Sequence, residues 1–286
     1  MADLQSHLLA AAAPQEQEYA LRGGLKGRFA GDFCVLQSAI EALSCYLETQ
    51  TTPEVCRTAQ EMLGDMSRRV IRLERLADNA AELALGGSLG QNRSFRLVEL
   101  QAYLDRFCDC VAEELVLNGL PVRLDWQRNE EADFYLQGDP GLMDALLANL
   151  VSNSAAQHCS EIHLRCEAGT SPDAMRWLLY RDNGPGLGEE GRLLLEQGAL
   201  SRSLIEQGAT GLLLVRQYAD ALGWQIRLEQ GPGFAVRFGL PPFRVESALE
   251  ALRSEAGERQ ELQRRNAMLA ARIHREFAAV FGTTEE

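Results

Sequence analysis

From residue 18 to 49 the apolar positions Leu25, Phe29, Phe33, Leu36, Ile40, Leu43 and Leu47 fall three and four apart. That spacing predicts one helix with a continuous apolar stripe. Gly23, Gly24, Gly27 and Gly31 weaken its first half. The stretch TQTTPE (49–54) breaks the pattern, with Thr52 suited to an N-cap and Pro53 to a first helical position. A second helix follows to about Leu85, with Val55, Ala59, Met62, Met66, Val70, Leu73 and Leu76 facing inward, and GGSLG (86–90) ends it. Two such helices form an antiparallel hairpin over residues 18–90. A lone hairpin buries little, so pairing with a second copy into a four-helix bundle is expected. Residues 1–17, rich in alanine and glutamine, read as a flexible tail.

From Phe95 the period changes. FRLVEL reads as a strand, 100–118 as a helix, VRLDW (122–126) and FYL (134–136) as strands, and 142–156 as a helix. EIHLRCEA (161–168) and AMRWLLYRD (174–182) are two more strands, with His163 a partly exposed sheet residue. A loose stretch (188–207) leads to a helix over 210–222. A closing hairpin turns at Gly231-Pro232-Gly233. The alternation predicts an α+β fold, a mixed sheet with helices on one face over 91–242. Residues 243–286 add a long C-terminal helix from about Val245. Its Leu262, Asn266, Leu269 and Ile273 suit either a coiled-coil seam or docking on the chain's own domain.

Net charge is −13, which argues against nucleic acid or an anionic membrane as main partner. The apolar run 8–13 is too short to span a bilayer. Seven cysteines, with no CxxC pair and no His/Cys cluster, argue against a zinc site and fit a reducing cytoplasm, their thiols packed as small hydrophobes.

Four pieces in fixed order carry the chemistry: GDPGLMDALLANLVSN (138–153), RDNGPGL (181–187), GATGLLL (208–214) and GPGFAVRFGLP (231–241). Asn149 and Asn153 are i and i+4 on one helix face. Asp182 stands at a strand end, where a carboxylate can accept from an exocyclic amine. Gly184 and Gly186 let backbone pass close to a flat ring, and Gly208 and Gly211 precede a helix whose first amides suit phosphate. The Asn153 side-chain oxygen suits Mg2+ already held by phosphates.

In this order the pieces resemble the ATP-binding domain of sensor histidine kinases, in the superfamily shared with gyrase and heat-shock chaperone ATPases. The resemblance covers about 95–241 and, more weakly, the hairpin. It implies an α/β sandwich, ATP and Mg2+ under a mobile lid, and a dimeric hairpin bearing a phosphoacceptor histidine. Asn149 and Asn153 match the family's asparagine box and Asp182 its adenine-reading aspartate. Gly184 and Gly186 belong to its first glycine box, Gly208 and Gly211 to its second.

The departures set the functional expectation. The phosphoacceptor position is Gly31, followed by Asp32, and Leu36 stands where the family has proline. Glycine has no nucleophile, so no catalytic residue is assigned. Ala156 and Gln157 stand where a basic residue is usual, leaving His158 or the lid's Arg202 to substitute, and Ala209 and Leu213 replace glycines. The lid segment carries Glu189 and Glu190 and no aromatic of the usual type. The expectation is a cytoplasmic, homodimeric pseudokinase that regulates a response regulator or partner kinase through its hairpin. Two alternatives stand beside it. One is an active ATP-dependent kinase or ATPase acting on another protein; the other is a non-catalytic interaction scaffold.

Overall fold

A computed structural model describes residues 32–49, 52–84, 95–129, 135–167, 175–199, 210–241 and 258–281. The chain splits into two compact units, 1–84 and 85–286.

The first unit holds helix α1 (32–49) and helix α2 (Pro53–Ala84). The Cys56 amide donates to the Thr52 carbonyl at 2.9 Å, so α2 starts where Thr52 and Pro53 predict. Gln60 donates to Glu48 at 2.8 Å and Ser67 to Gln37 at 3.4 Å, pairs that only an antiparallel hairpin brings together. Leu63 and Val70 are buried. Of the expected inward set Val70 is buried and Ala59 half-buried, and the rest is corrected: Val55, Met62, Met66, Leu73 and Leu76 are exposed within one chain, Met62 at 64%. The α2 stripe is wider than one neighbouring helix can cover, and α1 takes only the Leu63–Val70 side. Leu25, Phe29 and Gly31 lie outside the described residues.

The second unit opens with β1 (Arg96–Glu99), α3 (Leu100–Leu117), β2 (Arg123–Gln127), β3 (Tyr135–Gly138) and α4 (Pro140–Ala156). It continues with β4 (Glu161–Glu167), β5 (Arg176–Asp182), α5 (Glu189–Gln197) and α6 (Thr210–Leu222), then β6 (Gln225–Leu228), β7 (Ala235–Leu240) and α7 (Glu258–Phe281). The strands make two sheets rather than one. β1 pairs antiparallel with β3, and five strands run in the order β2-β4-β5-β7-β6. Among the described residues only the β2–β4 pair is parallel.

Period-two burial gives the large sheet one apolar face, with Ile162, Leu164, Leu178, Tyr180, Val236 and Phe238 inside. The other face carries charge. Arg165, Arg237 and Arg181 alternate with Glu167 and Glu229 in a chain of ion pairs, and His163 bonds Asp125 at 3.1 Å. That hydrogen bond, the largest cause, holds the Asp125 carboxyl below its usual range. Helices α3 and α4 cover the apolar face: Trp126 on β2 donates to Asp105 on α3, and Ser154 on α4 bonds Tyr180 on β5.

The stretch expected to be loose contains α5. Its Gly191, Leu194 and Leu195 are buried, its two glutamates sit in the first turn, and Gly198 closes it at φ 71°. Arg216 of α6 donates to the α5 carbonyls of Leu195 and Glu196, at 2.7 and 3.0 Å. Nine residues between glycines carry too short a period to stand out from loop.

The C-terminal helix α7 packs on α3 and α4, forming a third layer. Leu269, Ile273 and Phe277 are buried there, at roughly 1.5–3 kcal/mol each, so Leu269 and Ile273 are not free to form a seam with another helix. Residues 245–257, expected as its start, lie outside the described residues. α7 also buries Asp144 of α4, which accepts from Tyr103 at 2.7 Å and faces Arg265 at 3.8 Å. Burial raises the Asp144 carboxyl above its usual range, while Arg265 and Tyr103 oppose that shift. Arg265→Ala is therefore expected to cost about 2 kcal/mol by leaving this buried charge underpaired. The sign follows from the raised carboxyl. Its charged form is the one disfavoured in the fold, so the deficit is full at about pH 8 and shrinks as pH falls towards about 5. Thermal melting at the two values checks this.

Of the seven thiols, Cys108, Cys159 and Cys166 are buried as expected, but Cys34 and Cys45 are exposed on α1. No helix of the described residues is long and apolar enough to cross a membrane. The described residues also hold no group of three metal-ligating side chains.

Candidate nucleotide site

Helix α4 is the centre of the site, and the first residues of its motif explain where it begins. The Asp139 carboxylate accepts from the Gly141 amide at 2.8 Å and the Leu142 amide at 3.4 Å, and Pro140 takes the first helical position. From there α4 is apolar almost all round, and it is buried without a break from Met143 to Ser152. Only a helix covered on both sides tolerates that composition.

Two asparagines interrupt it. Asn149, 1% exposed, donates to the Ala145 carbonyl at 2.9 Å, while its Oδ1 has no partner among the described residues. Asn153 is half-buried and its Nδ2 has no partner among the described residues. Both face Gly211 in the first turn of α6. A Cβ built on Gly211 would lie 3.0 Å from Asn153 Oδ1, 3.2 Å from its Nδ2 and 3.3 Å from Asn149 Oδ1. The residue must be small for α6 to start this close to the two amides. A helix N-terminus and two orphaned polar atoms thus share one spot, the combination that suits phosphate and a cation held by it.

The next residue on α4, Ser154, faces the sheet and reaches Asp182. Asp182 is 5% exposed at the end of β5. Its Oδ1 accepts from the Gly184 amide at 2.9 Å and the Phe234 amide at 3.2 Å, and its Oδ2 accepts a short hydrogen bond from Ser154. The Ser154 hydroxyl also bonds the Tyr180 hydroxyl at 2.7 Å. Tyr180 is fully buried, and burial raises its hydroxyl well above the usual tyrosine range, so it keeps its proton. Gly186, at φ 78°, and Gly233, at φ 79°, let the 182–186 turn and the 231–234 turn touch. Asn183 pins the same turn to the start of β4 by accepting from the Ser160 and Glu161 amides at 2.9 and 3.1 Å. Cys159 lies beside Gly184, its thiol pushed up to about 12 by burial and then by Asp182, which keeps it an inert neutral group.

Of the residues singled out in sequence, Asn149, Asn153 and Gly211 meet at one end of α4. Asp182, Gly184 and Gly186 meet beside its last turn. Gly208, Ala209 and Arg202 lie outside the described residues. Leu213 is half-buried on α6, and Glu189 and Glu190 are exposed in the first turn of α5. Ser154, Tyr180 and Phe234 were missing from the sequence reading. The signal for Tyr180 was present, since it stands two before Asp182 on a strand and must share its face.

Residues 138–244 match the family described as histidine kinase-, DNA gyrase B- and HSP90-like ATPases. No curated protein matches the chain. Among solved structures it is similar to full-length ShkA in complex with AMPPNP, at 17% identity and a TM-score of 0.52, over 77% of this chain and 47% of that one. It is also similar to the histidine kinase AdeS of Acinetobacter baumannii, at 16% identity and TM-score 0.45, over 74% and 95% of the two chains. The ATP-binding domain of PrrB from Mycobacterium tuberculosis gives 21%, TM-score 0.40, 52% and 98%. The chain spans about half the length of ShkA.

Proposed function

We propose that the chain is a cytoplasmic, homodimeric signalling pseudokinase. Its hairpin docks a response regulator or a partner kinase, and its second unit binds an adenine nucleotide without phosphorylating histidine. One observation carries the nucleotide part: a single helix presents Asn149 and Asn153 to Gly211 and, through Ser154, holds Asp182. These residues fit a triphosphate nucleotide with Mg2+. Asn153 would ligate the cation, the α6 N-terminus would face the phosphates, and Asp182 would accept from the exocyclic amine. Bound Mg2+ would neutralise phosphate charge. α4 itself contains no lysine or arginine to share that task, which favours weak binding.

The pseudokinase part rests on the hairpin sequence. The chain has four histidines, His7, His158, His163 and His274, and none lies between residues 18 and 90. Purified protein given ATP and Mg2+ is expected to form no acid-labile phosphohistidine; formation of one overturns the reading. In calorimetry, Asn153→Ala is expected to weaken Mg2+-ATP at least about tenfold, the effect of losing a ligand to a desolvated cation, about 1.4 kcal/mol or more. Equal binding by the variant removes the assigned site.

The orphaned Asn149 and Asn153 atoms favour a second reading, a working kinase for another protein, because a decayed site gains nothing by keeping polar atoms unpaired. Transfer of labelled phosphate to serine or threonine of an added partner would favour it.

A further inference from the structure

Asp182 has one acceptor position left. As a carboxylate it offers about four lone-pair directions. The Gly184 and Phe234 amides take those of Oδ1, and Ser154 takes one on Oδ2. The direction of the remaining hydrogen bonds is forced. Ser154 has a single proton, and a carboxylate can only accept, so that proton goes to Asp182. The hydroxyl of Tyr180, 2.7 Å from Ser154, must then be the donor between the two. Tyr180 and Ser154 are both buried, at 0% and 3% exposure, so water does not compete for either proton.

We propose that Tyr180 is a positioning residue that sets base specificity: by donating to Ser154 it locks the serine proton onto Asp182, leaving the site acceptor-only towards the base. The inference rests on the nucleotide reading above, which already takes the base as adenine, and adds to it the residue that enforces an amine rather than an oxygen at the purine six-position. An amine can donate to the open position on Oδ2. A purine oxygen there would face a carboxylate and find no donor, because every hydroxyl proton is already committed. Without the Tyr180 hydroxyl the serine can turn its proton to a purine oxygen, and the discrimination is lost. The Phe234 ring, 6.1 Å from that of Tyr180, packs against the tyrosine rather than bonding its hydroxyl, so Tyr180→Phe keeps the packing.

The test is calorimetry with ADP, IDP and the diphosphate of unsubstituted purine riboside, on the full chain. The native chain is expected to prefer ADP over IDP at least about tenfold, with the unsubstituted purine between them. Tyr180→Phe should bring ADP and IDP within about threefold of each other. A Tyr180 that is only structural would weaken both nucleotides by one factor and leave the ratio unchanged; that result overturns the inference. So does a native chain that binds IDP as well as the unsubstituted purine, a comparison that needs no variant. Native binding of ADP with either result leaves the nucleotide reading standing, whereas no binding of any of the three removes both.

Discussion

Gly233→Ala is expected to lower the melting temperature of the second unit by roughly 6–12 °C or more, equivalent to about 3 kcal/mol. A Cβ at this position would lie 2.1 Å from the Asp182 carbonyl oxygen, 3.1 Å from the Asp182 carbonyl carbon and 3.2 Å from the Asn183 Cα. These are backbone atoms in a tied turn, so none of them can swing aside. The Asp182 amide donates to the Phe234 carbonyl at 2.8 Å, and the Phe234 amide returns to the Asp182 carboxylate. Glycine also accepts φ 79°, which a side chain adopts only with strain. Relief requires the 231–234 turn to lift from the end of β5, which takes a donor away from Asp182. The variant should therefore lose nucleotide binding along with stability. Gly188→Ala is the control, since nothing stands within 4 Å of a Cβ there and its melting should shift by less than about 2 °C. Equal melting of the Gly233 variant and the native chain would mean that the two turns do not touch.

That contact shows where the sequence was informative. Asn149 with Asn153 is a local pattern, and the structure places the pair as its spacing implies, while their helix starts at Pro140 rather than at the expected 142. Asp182 at a strand end and the Gly231–Gly233 turn were also legible. What holds them together was less so. Ser154 and Tyr180 are 26 residues apart, and only the packing of α4 on β5 makes them neighbours. The short α5 carries too few periods to be distinguished from loop. The pairing of β1 with β3, away from the main sheet, is a long-range choice that neither strand's composition encodes. For α7 the useful signal lay in a different element. Its own apolar spacing suits a seam or a docked helix equally. α4, apolar on every side, needs a second cover besides the sheet, and α7 provides it.

The same reasoning about uncovered surface yields the other large effect, on the hairpin. On α1, Val35, Leu36, Leu43 and Tyr46 are exposed, and on α2 Val55, Met62, Met66, Leu73 and Leu76 are. Met62, Met66 and Leu73 on α2 lie next to the hairpin's own seam rather than opposite it, within about a quarter turn of Leu63 and Val70 at 100° per residue. Each side chain, fully buried against another copy, would contribute roughly 1.5–3 kcal/mol, so a few suffice for a stable dimer once association entropy is met. The chain is therefore expected to sediment at twice 31.6 kDa. Met66→Glu with Leu73→Glu places a carboxylate at two points of each stripe and should leave monomer at micromolar concentration, a change of at least about a hundredfold in dissociation constant. Leu117→Glu removes an equally apolar side chain, 76% exposed on α3, and should leave the mass of the dimer unchanged. A native chain that sediments at 31.6 kDa, or a double variant that stays paired, would mean that the hairpin stripe is not the dimer interface.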